Sequence, residues 1–309
     1  MGTTLTRTAI LFILCVTFVS DYALASVDMP DTLVIGKISH NPKKHYRYLK
    51  PMSDYVASKM SDLGIKRSKV RLAKSRKQLI SWLRQGKVDW VTETSFAASI
   101  FVHEANAEPI LLKHKKGDST YRSLIFTRKD SGINSLQDLK EKTIAFEDEA
   151  STSVFYAPAT LLIDDGLKLF QLDSVRESPP DGKVGFVFAG EEITIATWVE
   201  KGLADAGTVN NQDWAKEDHV PSHYKRQLKI IAESPEYMRA IEVVRSGLSD
   251  AIVSRLKQIL LNAHTDSRGR AALRANQRTK KFTELSEHEI ERLLVLYRQA
   301  KKIDNLLGL

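Results

Sequence analysis

Apolar and polar residues alternate in short blocks along most of the chain, and the blocks predict strand, loop and helix in regular succession. Thr32-Leu33-Val34-Ile35-Gly36 is a β-rich run followed by a polar turn, Ser39-His40-Asn41-Pro42. A helical pattern then runs from about Tyr46 to Met60, with Tyr48, Met52, Tyr55 and Val56 on one face. The unit repeats as a strand over Val70 to Ala73, a helix over Lys77 to Arg84 stopped by Gly86, and a strand over Val88 to Val91. Further strands are predicted at Leu124 to Thr127, Thr143 to Phe146, Val184 to Phe188, Ala204 to Gly207 and Leu228 to Ala232. Helices are predicted near Ala159 to Asp165 and Ile193 to Lys201.

Strand and helix alternate almost throughout, which argues for an α/β fold of mostly parallel sheets covered by helices. From Ser249 the chain turns mostly helical, with a capping box at Ser286-x-x-Glu289. No period of repeat-protein length and no low-complexity tract interrupts this order.

The N-terminus changes the picture. One base, Arg7, precedes an uncharged apolar run from Ala9 to Val19 and then Ala23-Leu24-Ala25, the small-x-small form read by signal peptidase. Residues 1–25 are therefore expected to be a cleaved signal peptide, and the mature protein to be periplasmic. The single cysteine, Cys15, falls inside that segment, so the mature chain is expected to hold no disulfide and no thiolate nucleophile. The formal net charge is +8, and removing Arg7 and Asp21 together leaves it unchanged. Such a basic exported protein is expected to keep anionic company, with nucleic acid the least fitting kind.

One cluster of hydroxyls carries candidate chemistry. Ser151-Thr152-Ser153 follows the strand at Thr143 to Phe146 and an acidic turn, Glu147 to Glu149, and stands before a helical stretch. Free N–H groups and the positive dipole end at a helix start attract an anion, and adjacent hydroxyls complete its hydrogen bonds. Alone, the triplet also reads as an ordinary N-cap, and Pro158 would kink a helix running straight on from Thr152. No Gly-rich phosphate loop, His-Glu-x-x-His or Gly-x-Ser-x-Gly occurs. Pro221 separates His219 from His223, so no metal site is expected there, and no cofactor or catalysis is expected.

Read with its surroundings, the triplet resembles the phosphate, phosphite and phosphonate-binding family of periplasmic substrate-binding proteins found with ABC transporters. The landmarks are Gly86-Lys87-Val88-Asp89, Tyr121-Arg122-Ser123, Phe126 to Ser131, Asp138-Leu139-Lys140, Ser151-Thr152-Ser153, Gly190-Glu191-Glu192, Gly202 to Gly207 and Ser234-Pro235. The resemblance covers nearly the whole mature chain. It implies a two-lobed periplasmic binding protein of type II, with lobe 1 formed by residues 26–124 and 234–309 and lobe 2 by residues 125–233. Hinge strands are expected near Leu124 to Thr127 and Leu228 to Ala232. It also implies that Ser151, Thr152 and Ser153 clasp phosphonate oxygens, that Tyr121 donates from the other side, and that Glu192 and Asp205 receive the ligand's amine or acidic O–H. On closure Ser39 and Thr94 are expected to join the site.

The sequence departs from the family pattern in the first lobe. Arg76 stands where relatives place an aromatic residue, and the loop after Asp89 carries Glu93. A further acid beside an anion costs affinity unless it pairs with Arg76 or meets a cation on the ligand. The alternative is that Glu93 points away and Arg76 is solvated. Glu236-Tyr237-Met238-Arg239 replaces an apolar, proline-rich segment, either bringing Arg239 to the pocket or altering the hinge. The expected partners are a small anionic or zwitterionic ligand and an ABC transporter permease or a membrane sensor, with the protein a monomer that binds no nucleic acid. An enzyme acting in the same cleft is the remaining alternative.

Overall fold

The computed structural model describes residues 31–308, so the expected signal peptide and Cys15 lie outside the described residues. No helix among the described residues is long and apolar enough to cross a membrane. The strands are β1 (Thr32–Ile38), β2 (Arg67–Ala73), β3 (Trp90–Glu93), β4 (Glu108–Lys115), β5 (Thr120–Tyr121), β6 (Ser123–Arg128) and β7 (Thr143–Phe146). They continue as β8 (Leu169–Gln171), β9 (Val184–Phe188), β10 (Ala206–Asn210), β11 (Leu228–Glu233), β12 (Tyr237–Met238), β13 (Ile241–Val244) and β14 (Thr279–Thr283).

Two six-stranded sheets result, ordered β14-β4-β13-β3-β1-β2 and β11-β6-β10-β7-β9-β8. Both are mixed. In the first, β1 runs parallel to β2 and β3 while β13, β4 and β14 pair antiparallel. In the second, β7, β8, β9 and β10 are parallel and β6 and β11 close the antiparallel edge. The inner parallel strands β3, β7, β9 and β10 are almost wholly buried because helices cover both faces, while the edge strands β2 and β8 are half-buried or exposed.

The chain passes between the sheets at residues 116–122 and again at residues 234–240. There the short strands β5 and β12 pair antiparallel, with Tyr121 opposite Tyr237. The strands at Leu124 to Thr127 and Leu228 to Ala232, expected as hinges, instead lie inside the second sheet as β6 and β11.

Local chemistry explains several element ends. The first helix is Pro42–Ala57, starting four residues before the predicted Tyr46, because Asn41 caps it by accepting from Lys44 N–H and Pro42 takes the first turn. Proline fits there because that N–H has no intrahelical partner. The C-terminal helix, Glu287–Leu307, carries the expected capping box of Ser286 and Glu289. Its buried face, Leu293, Leu296, Ala300 and Ile303, packs into a core that includes Phe96 and Phe101 beside the first sheet and Phe155 and Tyr156 beside the second. One apolar core therefore joins the two sheets.

Candidate functional site

The carboxyl ends of β1, β3, β7 and β9 face one another across a cleft, the place where open α/β sheets hold ligands. A cavity of about 500 Å³ lies there, lined from both sheets by Glu93, Thr94, Tyr121, Ser151, Ser153 and Glu192 among others.

The hydroxyl triplet lies at the start of an unusual turn. Residues Thr152–Tyr156 form a single π-helical turn before the α-helix Ala157–Asp164. Pro158 explains it, since it has no N–H to continue a regular ladder back to the Val154 carbonyl. That carbonyl accepts instead from the Thr208 hydroxyl at 3.0 Å. Ser151 caps the turn by accepting from Val154 N–H at 3.2 Å. Ser151 and Ser153 face the cavity, and the Tyr121 hydroxyl stands beside Thr152 and Ser153. Burial pushes the Tyr121 phenol up to about 12, so it remains a proton donor.

Thr152 behaves differently from its neighbours. It is fully buried, and its Oγ1 accepts from Phe96 N–H at 3.0 Å, across the junction of the two halves. Thr94 makes a second junction bond, donating to the Ala150 carbonyl at 3.2 Å, while also lining the cavity. Ser39 is buried next to the cavity with its hydroxyl held by His45 Nδ1 at 2.7 Å.

Acids and cations are both abundant. Glu93 is buried and accepts from Lys37 Nζ and from Ile38 N–H, each at 2.9 Å. Glu192 begins the helix Glu192–Glu200, and that helix approaches β10 closely because position 207 is glycine. A Cβ there would sit 2.5 Å from Ile195 Cγ2. Burial alone would raise the Glu192 pKa, but His219 at 3.4 Å holds it below the ordinary value. Ligand atoms of Glu192, Asp213 and His219 lie within 4.8 Å of one another, a grouping that residue spacing had not revealed. The Lys216 ammonium pairs with Asp213. Glu147 and Asp148 also line the cavity, and burial raises the pKa of both, that of Glu147 well above the ordinary value. Lys115 and Arg239 line the cavity from β4 and the residue after β12.

A family model described as ABC transporter, phosphonate, periplasmic substrate-binding protein matches residues 36–290. The chain belongs to this family. XAC2383 from Xanthomonas citri, solved bound to chloride ion and bound to ATP, is 34% identical, with 89% of this chain and 99% of that one covered. The TM-scores are 0.86 for the chloride-bound structure and 0.85 for the ATP-bound one. PhnD1 from Prochlorococcus marinus in complex with methylphosphonate shares the fold at TM-score 0.68 and 18% identity, over 88% of this chain and 99% of that one. The phosphate-import protein PhnD of Mycolicibacterium smegmatis is 28% identical over 56% of this chain. That match spans 54% of the relative's own length, about half.

Against the family pattern, two expected cleft residues lie elsewhere. Asp205 sits at the opposite end of the second sheet, where its carboxylate accepts from Thr143 N–H at 2.8 Å at the start of β7. It fastens a strand and does not reach the cleft. Arg76 is buried behind the cleft in an ion pair with Asp304 at 2.9 Å and a hydrogen bond to the Tyr156 hydroxyl. It therefore neither pairs with Glu93 nor lies solvated, and Lys37 takes the role of neutralising Glu93.

Proposed function

We propose that this chain is an exported solute-binding protein that takes up a small phosphorus oxyanion or aminophosphonate in the cleft and delivers it to an ABC transporter. The observation that carries the reading is the Ser151-Ser153 turn. It offers a hydroxyl cap, helix-start N–H groups and the Tyr121 phenol on one side of a cavity of ligand size. Charge-assisted hydrogen bonds of this kind contribute about 1.5 to 3 kcal/mol each. Glu192 and Asp213, held by His219 and Lys216, present carboxylates to a cationic or acidic group on the ligand, the role the resemblance implied for Glu192 and Asp205.

In this reading residues 26–124 and 234–309 form one lobe and residues 125–233 the other. The paired crossing segments at β5 and β12 flex, and closure brings Thr94 and Tyr121 onto the bound anion. The protein acts as a monomer, binds without chemistry, and presents its closed form to the permease.

One observation favours a second reading, a sensor of a larger anion coupled to a membrane partner. The 34% identical relative was solved bound to ATP. A thermal-shift screen with phosphate, phosphite, methylphosphonate, 2-aminoethylphosphonate and ATP separates the two. A true ligand at a hundred times its dissociation constant adds about 2.7 kcal/mol of stability. Stabilisation by a phosphonate that is lost in the Ser151→Ala, Ser153→Ala double variant supports the first reading. Response to ATP alone moves the assignment to the second. Hydrolysis or release of altered product from either would defeat the binding-only claim.

A further inference from the structure

Charges on the cavity wall mostly find partners within the chain. Lys37 pairs with Glu93, Lys44 with Glu191 at 3.9 Å, Asp213 with Lys216, and Glu192 with His219. Lys115 and Arg239 do not fit this pattern. Among the described residues neither forms an ion pair, and Arg239 Nε and Nη1 are buried with no hydrogen-bond partner. Arg239 is only 5% exposed, and its guanidinium stands 5.1 Å from the Tyr121 ring centroid.

A buried cation without a partner is costly, and here like charges add to the cost. Lys115 is repelled by Arg239, Lys113 and Lys37, and Lys216 by Lys116, Lys115 and Arg239. Burial first, and this repulsion second, bring the Lys115 and Lys216 ammonium groups each down to about 7. The positive region formed by Lys115, Lys116, Lys216 and Arg239 contains one ion pair, that of Lys216. Of its remaining members, Lys115 and Arg239 line the cavity and have no ion-pair partner among the described residues. The hydroxyls of Ser151 and Ser153 line the same cavity from the second sheet's side, Ser151 next to Glu147 and Ser153 next to the Tyr121 phenol.

We infer that Arg239 and Lys115 form a second anion subsite in the cleft, so that the ligand carries a second phosphoryl or phosphonyl group besides the one at Ser151 and Ser153. This rests on the proposed binding role of the serine turn. The anionic ligand completes the pairing that the chain leaves open. Methylenediphosphonate, which carries two phosphonyl groups and resists hydrolysis, is the probe.

Calorimetric titration of the protein with methylphosphonate and with methylenediphosphonate tests the subsite. Wild type is expected to bind the bisphosphonate at least about 10-fold more tightly, and Arg239→Gln or Lys115→Met to bring the ratio of affinities close to one. The ligand-free variants are expected to melt at or above the wild-type temperature, because each removes an unpaired cation. If Arg239→Gln does not fold, Lys115→Met gives the same reading. Equal wild-type affinities, no binding of the bisphosphonate, or a ratio preserved in both variants overturns the subsite. The Ser151→Ala, Ser153→Ala variant keeps the two ideas apart. If it still binds both ligands tightly the serine reading fails, whatever Arg239 and Lys115 do.

Discussion

Two arginines are buried to nearly the same degree, Arg76 at 8% exposure behind the cleft and Arg239 at 5% on its wall, yet their surroundings are opposite. Arg76 meets the Asp304 carboxylate and the Tyr156 hydroxyl, which donates in turn to Asp304 at 3.0 Å. Arg239 has an aromatic ring and two unpartnered nitrogens. A buried charge with its full set of partners holds structure together. One left without them marks a place where the partner comes from outside.

The largest expected effect lies at the back of the cleft. Asp304→Ala strands the Arg76 charge and should cost about 3 to 5 kcal/mol of stability, read as a lower urea midpoint. Replacing Arg76, Tyr156 and Asp304 together by Met, Phe and Leu should recover most of that loss, since no charge is then left unpaired. If Asp304→Ala is as harmless as Arg239→Gln, the distinction between the two arginines fails.

A smaller contrast divides the hydroxyl triplet. Thr152→Val leaves the buried Phe96 N–H without its acceptor and should cost about 1 to 3 kcal/mol of stability. The stacking of Phe96 on Tyr156, at 4.8 Å between centroids and 5° between planes, keeps the junction otherwise packed. Ser153→Ala, whose hydroxyl faces the cavity, should act mainly on ligand affinity, whereas Ser151→Ala also removes the acceptor of the Val154 N–H. Paired melting and titration of Thr152→Val and Ser153→Ala decides it, and equal effects on both readouts would show that the triplet is a single unit.

How legible the molecule was depends on how local each cause is. The strands at Thr143–Phe146 and Val184–Phe188 fall on the predicted residues because each is a short, largely apolar run inside the parallel part of the second sheet. The Ser286 capping box was equally plain. The Asn41-Pro42 pair was read as a turn although it starts a helix, since a proline in a first turn and a proline in a loop look alike in sequence. The parallel-rich sheets flanked by helices were legible from the alternating blocks, while the antiparallel pairings of β4, β13, β14, β6 and β11 join distant segments and left no local signal. Arg76 and Asp205 were misplaced for the same reason. Their partners, Asp304 and Thr143, lie 228 and 62 residues away. Arg239 was visible as a departure from the family pattern, but Lys115 was one lysine among many.

The smallest effect compares two lysines on one strand. On β4, Lys113 donates to Asn276 Oδ1 at 2.9 Å with the Glu242 charge nearby, while Lys115, two residues on, faces the cavity. Burial lowers Lys113 to about 8 and Lys115 to about 7. For the ligand-free protein the sign follows from the folded value of Lys115 lying below the ordinary 10.5. Between those values the unfolded chain binds more protons, so this group makes stability rise with pH across that window. An anion beside Lys115 favours its charged form, so binding takes up a proton and affinity should weaken as pH rises through about 7. The expected loss is several-fold between about pH 6 and about pH 8. Arg239, Lys113, Lys37 and Lys216 add repulsion around Lys115, while Glu192 and Glu147 oppose it. Burial holds the Glu147 and Asp148 carboxyls above their ordinary values, and ionisation of either as pH rises weakens anion binding in the same direction. Lys115→Met isolates the lysine's share. A flattened affinity profile assigns the slope to Lys115, and an unchanged one assigns it to the carboxyls, removing the difference drawn between the two lysines.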